Sequence, residues 1–447
     1  MDFFKDIYPA ESETIANNVT NFYAYPQLPL LVLMVTAGSK VSFTTRIVVT
    51  FLLQAIVVGA MPFVAHFSPW VTYGTMLILG VCTAVLQASL IGFASQFPPL
   101  FSQAIMAGQG VAGIIASFGR IIFKAVLPGA VRLSAVLYFE VGCATLILCT
   151  LGYMYLVGMP FAKYHLSRSR ARRGSISSSI ARSSVRDADA YSTLDARSPS
   201  PAPSADKHIN AVIASPLLSE PGRKYSAVTL RLLAESRLGL VDGEGDDEEF
   251  DPITAPPGLN EIQLPFCGPS VRRKWRILKA TGLMCFTVTA VYTVTFTVFP
   301  GVTDDIAYRG NIPGATPYVM NTMNWWLIIL TTMFNVFDTI GRSLPAKVPP
   351  CQPRVLAIFP VARTVFIPLF TFGLIWSTWN DWATVVLMVV FALTNGYVTS
   401  ASFMVGPGLV PHQHREEAGF IMSLFLQMGI LLGSQIARAF ANVQAAT

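Results

Sequence analysis

The chain has 447 residues, of which 53% are hydrophobic and 13% are charged, and its mean hydropathy is +0.53. Soluble domains carry about 25% charged residues, so this composition excludes a soluble globular protein and predicts an all-α polytopic membrane protein. The formal net charge of +6 does not predict nucleic-acid binding, because more than half of the Lys and Arg residues lie between Lys163 and Lys279.

Apolar segments long enough to cross a bilayer form two groups of five, separated by a long polar insert. A transmembrane helix needs about 20 predominantly apolar residues, and the first segment is shorter and contains Pro26 and Pro29. The first group is Phe22–Ala37, Thr45–Phe67, Val71–Gln96, Phe101–Ala125 and Leu133–Gly158. The second group is Leu278–Phe299, Tyr318–Gly341, Val355–Ser377, Trp382–Met404 and Ala418–Phe440. The sequence therefore predicts about ten transmembrane helices.

The polar insert at 162–274 separates two predicted helical bundles, at 1–161 and 275–447. It is rich in Ser, Arg and Pro and then acidic, so it cannot bury a core and we expect it to be largely disordered. Lys and Arg flank it beside the membrane, which places it in the cytoplasm. Ser175 follows Arg172-Arg173-Gly174. We interpret it as a candidate phosphorylation site for a basophilic kinase, with a chance match in a basic linker as the alternative.

Three polar residues share one stripe of the apolar segment around 323–344. Asn335, Asp338 and Arg342 are spaced i, i+3 and i+7, which puts them within about 60° of arc on a helix. An unpaired charge facing lipid costs about 2.5–3.5 kcal/mol, but a carboxylate and a guanidinium one turn apart can neutralise each other. Such residues usually line a substrate or ion path. The alternative is a structural ion pair that fixes helix packing.

The sequence contains none of the common motifs of enzymes or of ATP-driven pumps. There is no GxxxxGK[ST] phosphate loop, no catalytic Ser/His/Asp set, and no His or Cys pattern suited to a metal. We therefore expect no enzymatic activity, no cofactor and no metal. Glu140 lies inside the fifth apolar segment. A membrane carboxylate can carry a proton, so Glu140 is a candidate for proton coupling; a partner for a nearby cation or an interfacial position is the alternative.

Segments along nearly every predicted span resemble, in the right order, the signatures of the equilibrative nucleoside transporters. They are AVLQASLIGFASQFP (Ala84–Pro98), IMAGQGVAGIIAS (Ile105–Ser117), VFPGV (Val298–Val302), FNVFDTIGRSL (Phe334–Leu344), ARTVFIPLF (Ala362–Phe370), TNGYVTS (Thr394–Ser400) and AGFIMSLFLQMGILLGS (Ala418–Ser434). The resemblance implies eleven helices, six plus five, in a two-bundle arrangement similar to the major facilitator fold. The opening residues resemble the stretch just after the family's first helix, so we expect that helix to be missing here.

The resemblance also implies roles for individual residues. Gln87 would recognise the base edge, since its amide both donates and accepts; contact between helices is the alternative. Asp338 and Arg342 would hold the ribose hydroxyls. Asn335 would either orient Asp338 or bond across helices. Two further residues, Gln27 and Leu30, would line the cavity wall, with Gln27 standing where the family often has an apolar residue.

Other residues are expected to serve packing. Gly108, Gly110 and Gly113 predict a small-residue face that allows close helix approach. Arg46 is expected to extend to the cytoplasmic face. Arg363 lies deeper in its span and is expected to pair with an acid or with helix-end carbonyls.

Together these patterns predict a transporter of nucleosides or nucleobases that works by alternating access, either facilitative or proton-coupled. It would lie in a lipid bilayer, in the plasma membrane in preference to an internal one. One alternative is a transporter of another small polar solute such as a sugar. The other is a truncated, non-transporting membrane partner or sensor.

Overall fold

The computed structural model describes residues 7–8, 12–38, 41–127, 129–167, 269–303, 305–375 and 379–446. Throughout these ranges the regular structure is helical and no β-strand occurs. Most of the insert, including Ser175, lies outside the described residues. Helical structure extends into both ends of the predicted insert at 162–274: residues 160–167 are helical, and the next long helix already begins at Pro269.

The α-helices that build the two halves of the described chain are numbered α1 to α13 in chain order. The first six are α1 (Ser12–Ala24), α2 (Gln27–Ala37), α3 (Phe43–Val64), α4 (Pro69–Ala94), α5 (Pro99–Val126) and α6 (Val131–Gly158). After the insert come α7 (Pro269–Thr297), α8 (Trp325–Ser343), the short α9 (Pro353–Leu356), α10 (Ile358–Arg363) and α11 (Phe366–Ile375), and then α12 (Asp381–Val405) and α13 (Arg415–Ala446). We call the end of the bundle where α6 ends and α7 begins the loop-side end.

Nine spans among the described residues are long and apolar enough to cross a membrane, with α9 to α11 forming one of them. This confirms an integral, multi-pass membrane protein. The first predicted span, Phe22–Ala37, was wrong as a single helix, because α1 ends at Ala24 and α2 begins at Gln27. Pro26 occupies the N-cap of α2. Proline lacks a backbone N–H and fits the start of a helix better than its interior, so the chain turns there.

Side-chain caps fix several helix starts. The Ser42 hydroxyl accepts from Thr45 N at 3.2 Å at the start of α3, and the Asn380 amide oxygen accepts from Ala383 N at 2.8 Å at the start of α12. Each cap satisfies one backbone N–H that has no partner within its helix. These helices therefore begin at positions that the local sequence defines.

The helices form two groups that meet along two seams. In the first group, α4 packs against α1, α2 and α3, and α3 packs along α6. In the second group, α7 packs along α13 and α8 packs along α12. Between the groups, α5 lies against α8 and α12, while α4 and α2 lie against α13. The packing is that of two bundles with α5 at their boundary.

The pair of helices α7 and α13 approaches closely because small residues line the contact. The Thr289 hydroxyl donates to Phe425 O at 2.9 Å. A Cβ at Gly429 would meet Thr289 Cα at 3.0 Å, and one at Gly433 would meet Thr293 Cα at 3.1 Å. Glycine at these positions lets the two backbones come together, as in many membrane helix pairs.

Two of the three predicted packing glycines lie in the seam between α5 and α8. A Cβ at Gly110 would meet Thr339 Cα at 3.0 Å, and one at Gly113 would meet Asn335 Oδ1 at 2.9 Å. A Cβ at Gly108 would meet nothing within 4 Å. The prediction for Gly108 was therefore wrong, because positions two apart on a helix point to nearly opposite sides.

Gly110→Ala is expected to destabilise the folded protein by about 1–3 kcal/mol, because the added methyl forces apart two packed backbones. Gly108→Ala is the matched control and is expected to be neutral or stabilising by up to about 1 kcal/mol, since alanine favours helix over glycine. Thermal unfolding of both purified variants in detergent measures the difference. Equal unfolding temperatures for the two variants would contradict the seam.

Candidate functional site

A buried ion pair lies on α8. Arg342 Nε donates to Asp338 Oδ2 at 2.7 Å, and the two residues are only 8% and 3% exposed. The pairing expected from their spacing is present. Each charge is compensated by the other, as a charge removed from water requires.

Arg342 also reaches two other helices. Its Nη1 donates to Met106 O at 3.1 Å and to Gln109 Oε1 at 3.2 Å, both on α5. Its Nη2 lies 3.5 Å from the Tyr292 hydroxyl on α7. The guanidinium therefore joins α8 to α7 within the second bundle and to α5 at the boundary with the first.

A chain of hydrogen bonds holds the other oxygen of Asp338. Asn395 Nδ2 donates to Asp338 Oδ1 at 2.7 Å, and the Thr295 hydroxyl donates to Asn395 Oδ1 at 2.7 Å. Arg363 Nη2 in turn donates to the Thr295 oxygen at 3.0 Å. We call these four residues the Asp338 network.

The chemistry of Asp338 and Arg363 sets the direction of the hydrogen bonds at the two ends of the Asp338 network. An ionised carboxylate only accepts, so the amide of Asn395 must turn its NH₂ group toward Asp338. Its oxygen then faces the Thr295 hydroxyl, whose proton has two acceptors within reach, Asn395 Oδ1 at 2.7 Å and Val291 O at 2.8 Å. At the far end Arg363 can only donate. The carboxylate thus fixes the orientation of the asparagine amide, and Arg363 donates to the threonine oxygen.

Arg363 itself is 3% exposed. It donates to Phe391 O at 2.7 Å and to the Thr394 hydroxyl, and its guanidinium carbon lies 4.6 Å from the centre of the Phe391 ring. Neither expected partner is in direct contact with it among the described residues: there is no acid, and its carbonyl partner, Phe391 O, lies in the middle of α12 and not at a helix end. Arg363 is joined to the acid Asp338 only through Thr295 and Asn395 of the network.

Three other predicted residues lie apart from the ion pair. Asn335 Nδ2 donates to the Ser117 hydroxyl of α5 at 2.7 Å, so it bonds across helices and does not orient Asp338. Gln27 is 2% exposed, and its amide donates to Tyr23 O at 3.1 Å in the last turn of α1. Leu30 packs at the edge of an apolar cluster between α2, α4 and α13.

Gln87 is half-buried on α4. Its neighbours Ala84 and Ala88 are fully buried in the apolar cluster with Leu30, and its amide makes no hydrogen bond to any described residue. An amide in that position is free to bond a ligand. The contacts that join the ion pair to its neighbours do not include Gln87.

Glu140 is exposed on α6. One of its carboxylate oxygens would lie 3.9 Å from a Cβ at Gly59 of α3, beside Cys143. It takes no part in the Asp338 network.

Sequence reasoning missed Tyr292 and Thr295 as neighbours of the ion pair. Both lie on α7, three residues apart and on one face within an apolar span. That spacing resembles the polar stripe of α8 and is the signal that could have identified them. Helix spacing could not show that this face turns toward Arg342 and Asn395.

A second buried ion pair joins the two bundles at the loop-side end. Arg46 Nη2 lies 3.0 Å from Glu416 Oε1, and the residues are 7% and 1% exposed. The guanidinium carbon lies 4.8 Å from the centre of the Phe43 ring and 5.3 Å from that of Phe420. The expectation that Arg46 extends to the surface was wrong, because Glu416 at the start of α13 offers a buried partner.

Further bonds cross between the bundles at the same end. Gln103 Nε2 donates to Ser343 O at 2.8 Å, and Lys274 Nζ donates to Thr36 O at 3.2 Å. At the opposite end, Gln435 Nε2 donates to the Tyr25 hydroxyl at 3.1 Å in an exposed position. The buried ion pair Arg46–Glu416 thus joins the two bundles at the loop-side end, whereas the contact at the opposite end is exposed.

Comparison with known proteins supports the resemblance seen in the motifs. The sequence model of a family described as nucleoside transporter matches residues 73–213 and 267–442. Equilibrative nucleoside transporter 2 of Rattus norvegicus is 28% identical over 381 residues, which are 83% of this chain and 71% of that protein. Equilibrative nucleoside transporter 1 of Homo sapiens is 26% identical over 437 residues, 95% of this chain and 78% of that protein.

Two further similarities complete the comparison. Equilibrative nucleotide transporter 1 of Arabidopsis thaliana is 24% identical over 455 residues, 98% of this chain and 80% of that protein. A major facilitator superfamily transporter solved in the outward conformation gives a TM-score of 0.47 at 15% identity, covering 100% of this chain and 87% of that one. Because this TM-score is low, the two-bundle fold is assigned from helix packing alone.

The family match covers well over half of the sequence, and the chain belongs to the nucleoside transporter family, which consists of transporters and not of enzymes.

Proposed function

We propose that this chain carries nucleosides across the membrane by alternating access of two helical bundles, at 1–161 and 275–447. The observation that supports this most directly is the buried pair Asp338–Arg342, because Arg342 also bonds to α5 at the boundary between the bundles. Transporter sites commonly lie between two bundles that rock around them. A site there is reachable from either side in turn.

The chemistry of the pair suits a ribose. A nucleoside offers a flat base and a sugar with vicinal hydroxyl groups, and its site needs apolar walls with a few fixed polar groups. Asp338 can accept from a ribose hydroxyl with its remaining lone pairs, and Arg342 can donate to the hydroxyl oxygens. Gln87 on α4 has an unused amide that we assign to the base edge. The Asp338 network serves to position the carboxylate.

Alternating access requires the loop-side contacts to open and close. The pair Arg46–Glu416 exists only while α3 and α13 are together. Breaking one buried pair and a few hydrogen bonds is a discrete event between two packed states, and a ligand shifts such an equilibrium by binding one state more tightly than the other.

Glu140 is exposed and lies apart from the Asp338 network. This position supports transport without proton coupling, because Glu140 does not contact the residues that we assign to the substrate.

We place the protein in the plasma membrane, since polar nucleosides need a carrier to enter a cell. Regulation through Ser175 by a basophilic kinase stays a prediction.

Uptake of labelled adenosine and uridine by cells without their own nucleoside transporters tests this function. We expect saturable uptake that an excess of glucose does not inhibit and that changes less than about twofold between pH 6 and 7.4, since one coupling proton would favour the acidic side. Surface biotinylation measures the share in the plasma membrane. Uptake of sugar alone, or no uptake by protein at the surface, would contradict the proposal.

The Asp338 network gives a sharper prediction. Thr295→Val keeps the shape of the side chain but removes its hydroxyl, so the amide oxygen of Asn395 loses its bond to Thr295 and Asn395 holds Asp338 less firmly. A lost hydrogen bond costs about 0.5–1.5 kcal/mol, so we expect the KM for ribonucleosides to rise up to about tenfold. The KM for 3′-deoxynucleosides should change much less, because they lack a hydroxyl that Asp338 would bind.

Thr295→Ser is the matched control, since it keeps the hydroxyl and loses only a methyl group. We expect its KM to stay close to that of the original protein, with equal amounts of all three proteins at the cell surface. If the Ser and Val variants behave alike toward both kinds of nucleoside, the hydroxyl does not position Asp338.

A further inference from the structure

The loop-side end of α7 carries exposed cations beside an exposed tryptophan. Arg272, Arg276 and Lys279 are exposed, Trp275 is 52% exposed, and the Lys279 ammonium lies 5.9 Å from the centre of the Trp275 ring. Their spacing of i, i+3, i+4 and i+7 places all four on one helix face. We call these four residues the basic stripe.

The same helix face continues as a lipid-facing surface. Leu283 and Phe286 follow at the next turns of that face and are 38% and 51% exposed. Both lie within the membrane span Val271–Val302. That span has 32 residues, whereas about 20 suffice to cross the hydrocarbon. We infer that its first turns, with the basic stripe, lie at the depth of the lipid headgroups, where Trp, Lys and Arg are favoured.

The cations on the opposite face of α7 already have partners in the protein. Arg273 pairs with Glu417 at 3.0 Å, Lys274 donates to Thr36 O at 3.2 Å, and Ile277 is buried on that side. The cations in the first turns of α7 thus lie on two different faces of the helix. One face attaches the helix to α13 and α2, and the other turns outward.

We propose that the basic stripe binds the headgroup of an anionic phospholipid. The charges are complementary, since three cations within two turns face a phosphate-bearing surface, and the tryptophan anchors the position beside the acyl chains. Each cation close to an anionic membrane surface strengthens binding about fivefold. The binding stands on the geometry of α7 and does not depend on which solute the protein carries.

Quenching of tryptophan fluorescence tests the proposal. The purified full chain in mixed micelles of zwitterionic detergent is titrated with brominated phosphatidylserine, and the same titration of Trp275→Phe gives the part of the quenching that belongs to Trp275. Arg272→Gln combined with Arg276→Gln is expected to weaken this binding about 30-fold. Brominated phosphatidylcholine should quench Trp275 only at much higher mole fractions.

The matched control is Lys347→Gln combined with Arg354→Gln, which removes the same charge from two other exposed positions near the loop-side end. We expect it to bind phosphatidylserine like the original chain. Equal weakening by both double variants would overturn the proposal, because net charge and not the stripe would then attract the lipid. Binding that appears only after the acidic run Asp242–Glu249 of the insert is neutralised would overturn it too, because the insert would be the occupant.

Discussion

Neutralising Asp338 and Arg342 together, as Asp338→Asn with Arg342→Gln, is expected to abolish nucleoside uptake while the protein stays folded in the membrane. Both side chains are buried, so removing one charge alone leaves the other uncompensated at a cost of about 3–5 kcal/mol. Single variants would therefore confuse a folding defect with a binding defect. The double variant removes both charges; Asn has the shape of Asp, and Gln is shorter than Arg but keeps a polar amide in its place.

The expected loss follows from the bonds to ribose. Two hydrogen bonds that involve charged groups contribute about 1.5–3 kcal/mol each, so their loss lowers uptake at low nucleoside concentration by a factor of about 100 or more. Uptake per protein at the surface is the measurement. Thr332→Val, a polar-to-apolar change two turns earlier on α8, is the control and should leave uptake unchanged. A double variant that transports at the original rate would remove the pair from the substrate site.

Glu416→Gln is expected to open the loop-side end of the seam. The pair with Arg46 is buried and crosses between α3 and α13, so its loss leaves Arg46 uncompensated in the closed state and favours the state in which water reaches it. An uncompensated Arg46 destabilises the closed state by about 3 kcal/mol or more, so the share of open molecules should rise by at least a factor of 10. Labelling of Ser102→Cys by a water-soluble thiol reagent measures that share, since Ser102 is 5% exposed in the closed seam.

The chain provides a matched control for this change. Arg273 and Glu417 form a pair of the same length at the same end, at 3.0 Å, but the Arg273 side chain is 44% exposed, and the pair joins α7 to α13 within the second group of helices. Exposed pairs contribute about 0–1 kcal/mol, so Arg273→Gln should leave labelling at its original rate. Both experiments use a background in which the exposed Cys149 and Cys351, and Cys267 outside the described residues, are replaced. Equal labelling in the two variants would mean that the buried pair does not hold the seam closed.

Local spacing was sufficient to predict the pair Asp338–Arg342, because its partners are four residues apart on one helix. The rest of the network could not be predicted in the same way. Asn395 lies 57 residues from Asp338, and Thr295 lies 100 residues from Asn395. Which helix faces meet across such distances is decided by packing, and the periodicity of one helix shows only which residues share a face.

The two wrong expectations for Arg46 and Gly108 have related causes. Arg46 was expected at the surface because its partner Glu416 lies 370 residues away in the chain. Gly108 was grouped with Gly110 and Gly113 by composition, although only the last two share a helix face. The division of the first predicted span was signalled in the sequence by Pro26, which favours a helix start.

The most direct test of the central claim is transport by the purified chain in liposomes. Labelled uridine and adenosine are supplied outside, with or without unlabelled nucleoside inside, and the Asp338→Asn, Arg342→Gln double variant is reconstituted at the same density. Alternating access at this pair predicts saturable uptake, faster when nucleoside is present inside, and uptake by the double variant no greater than by protein-free liposomes. Uptake that never saturates, or equal saturable uptake by the double variant, would contradict the account.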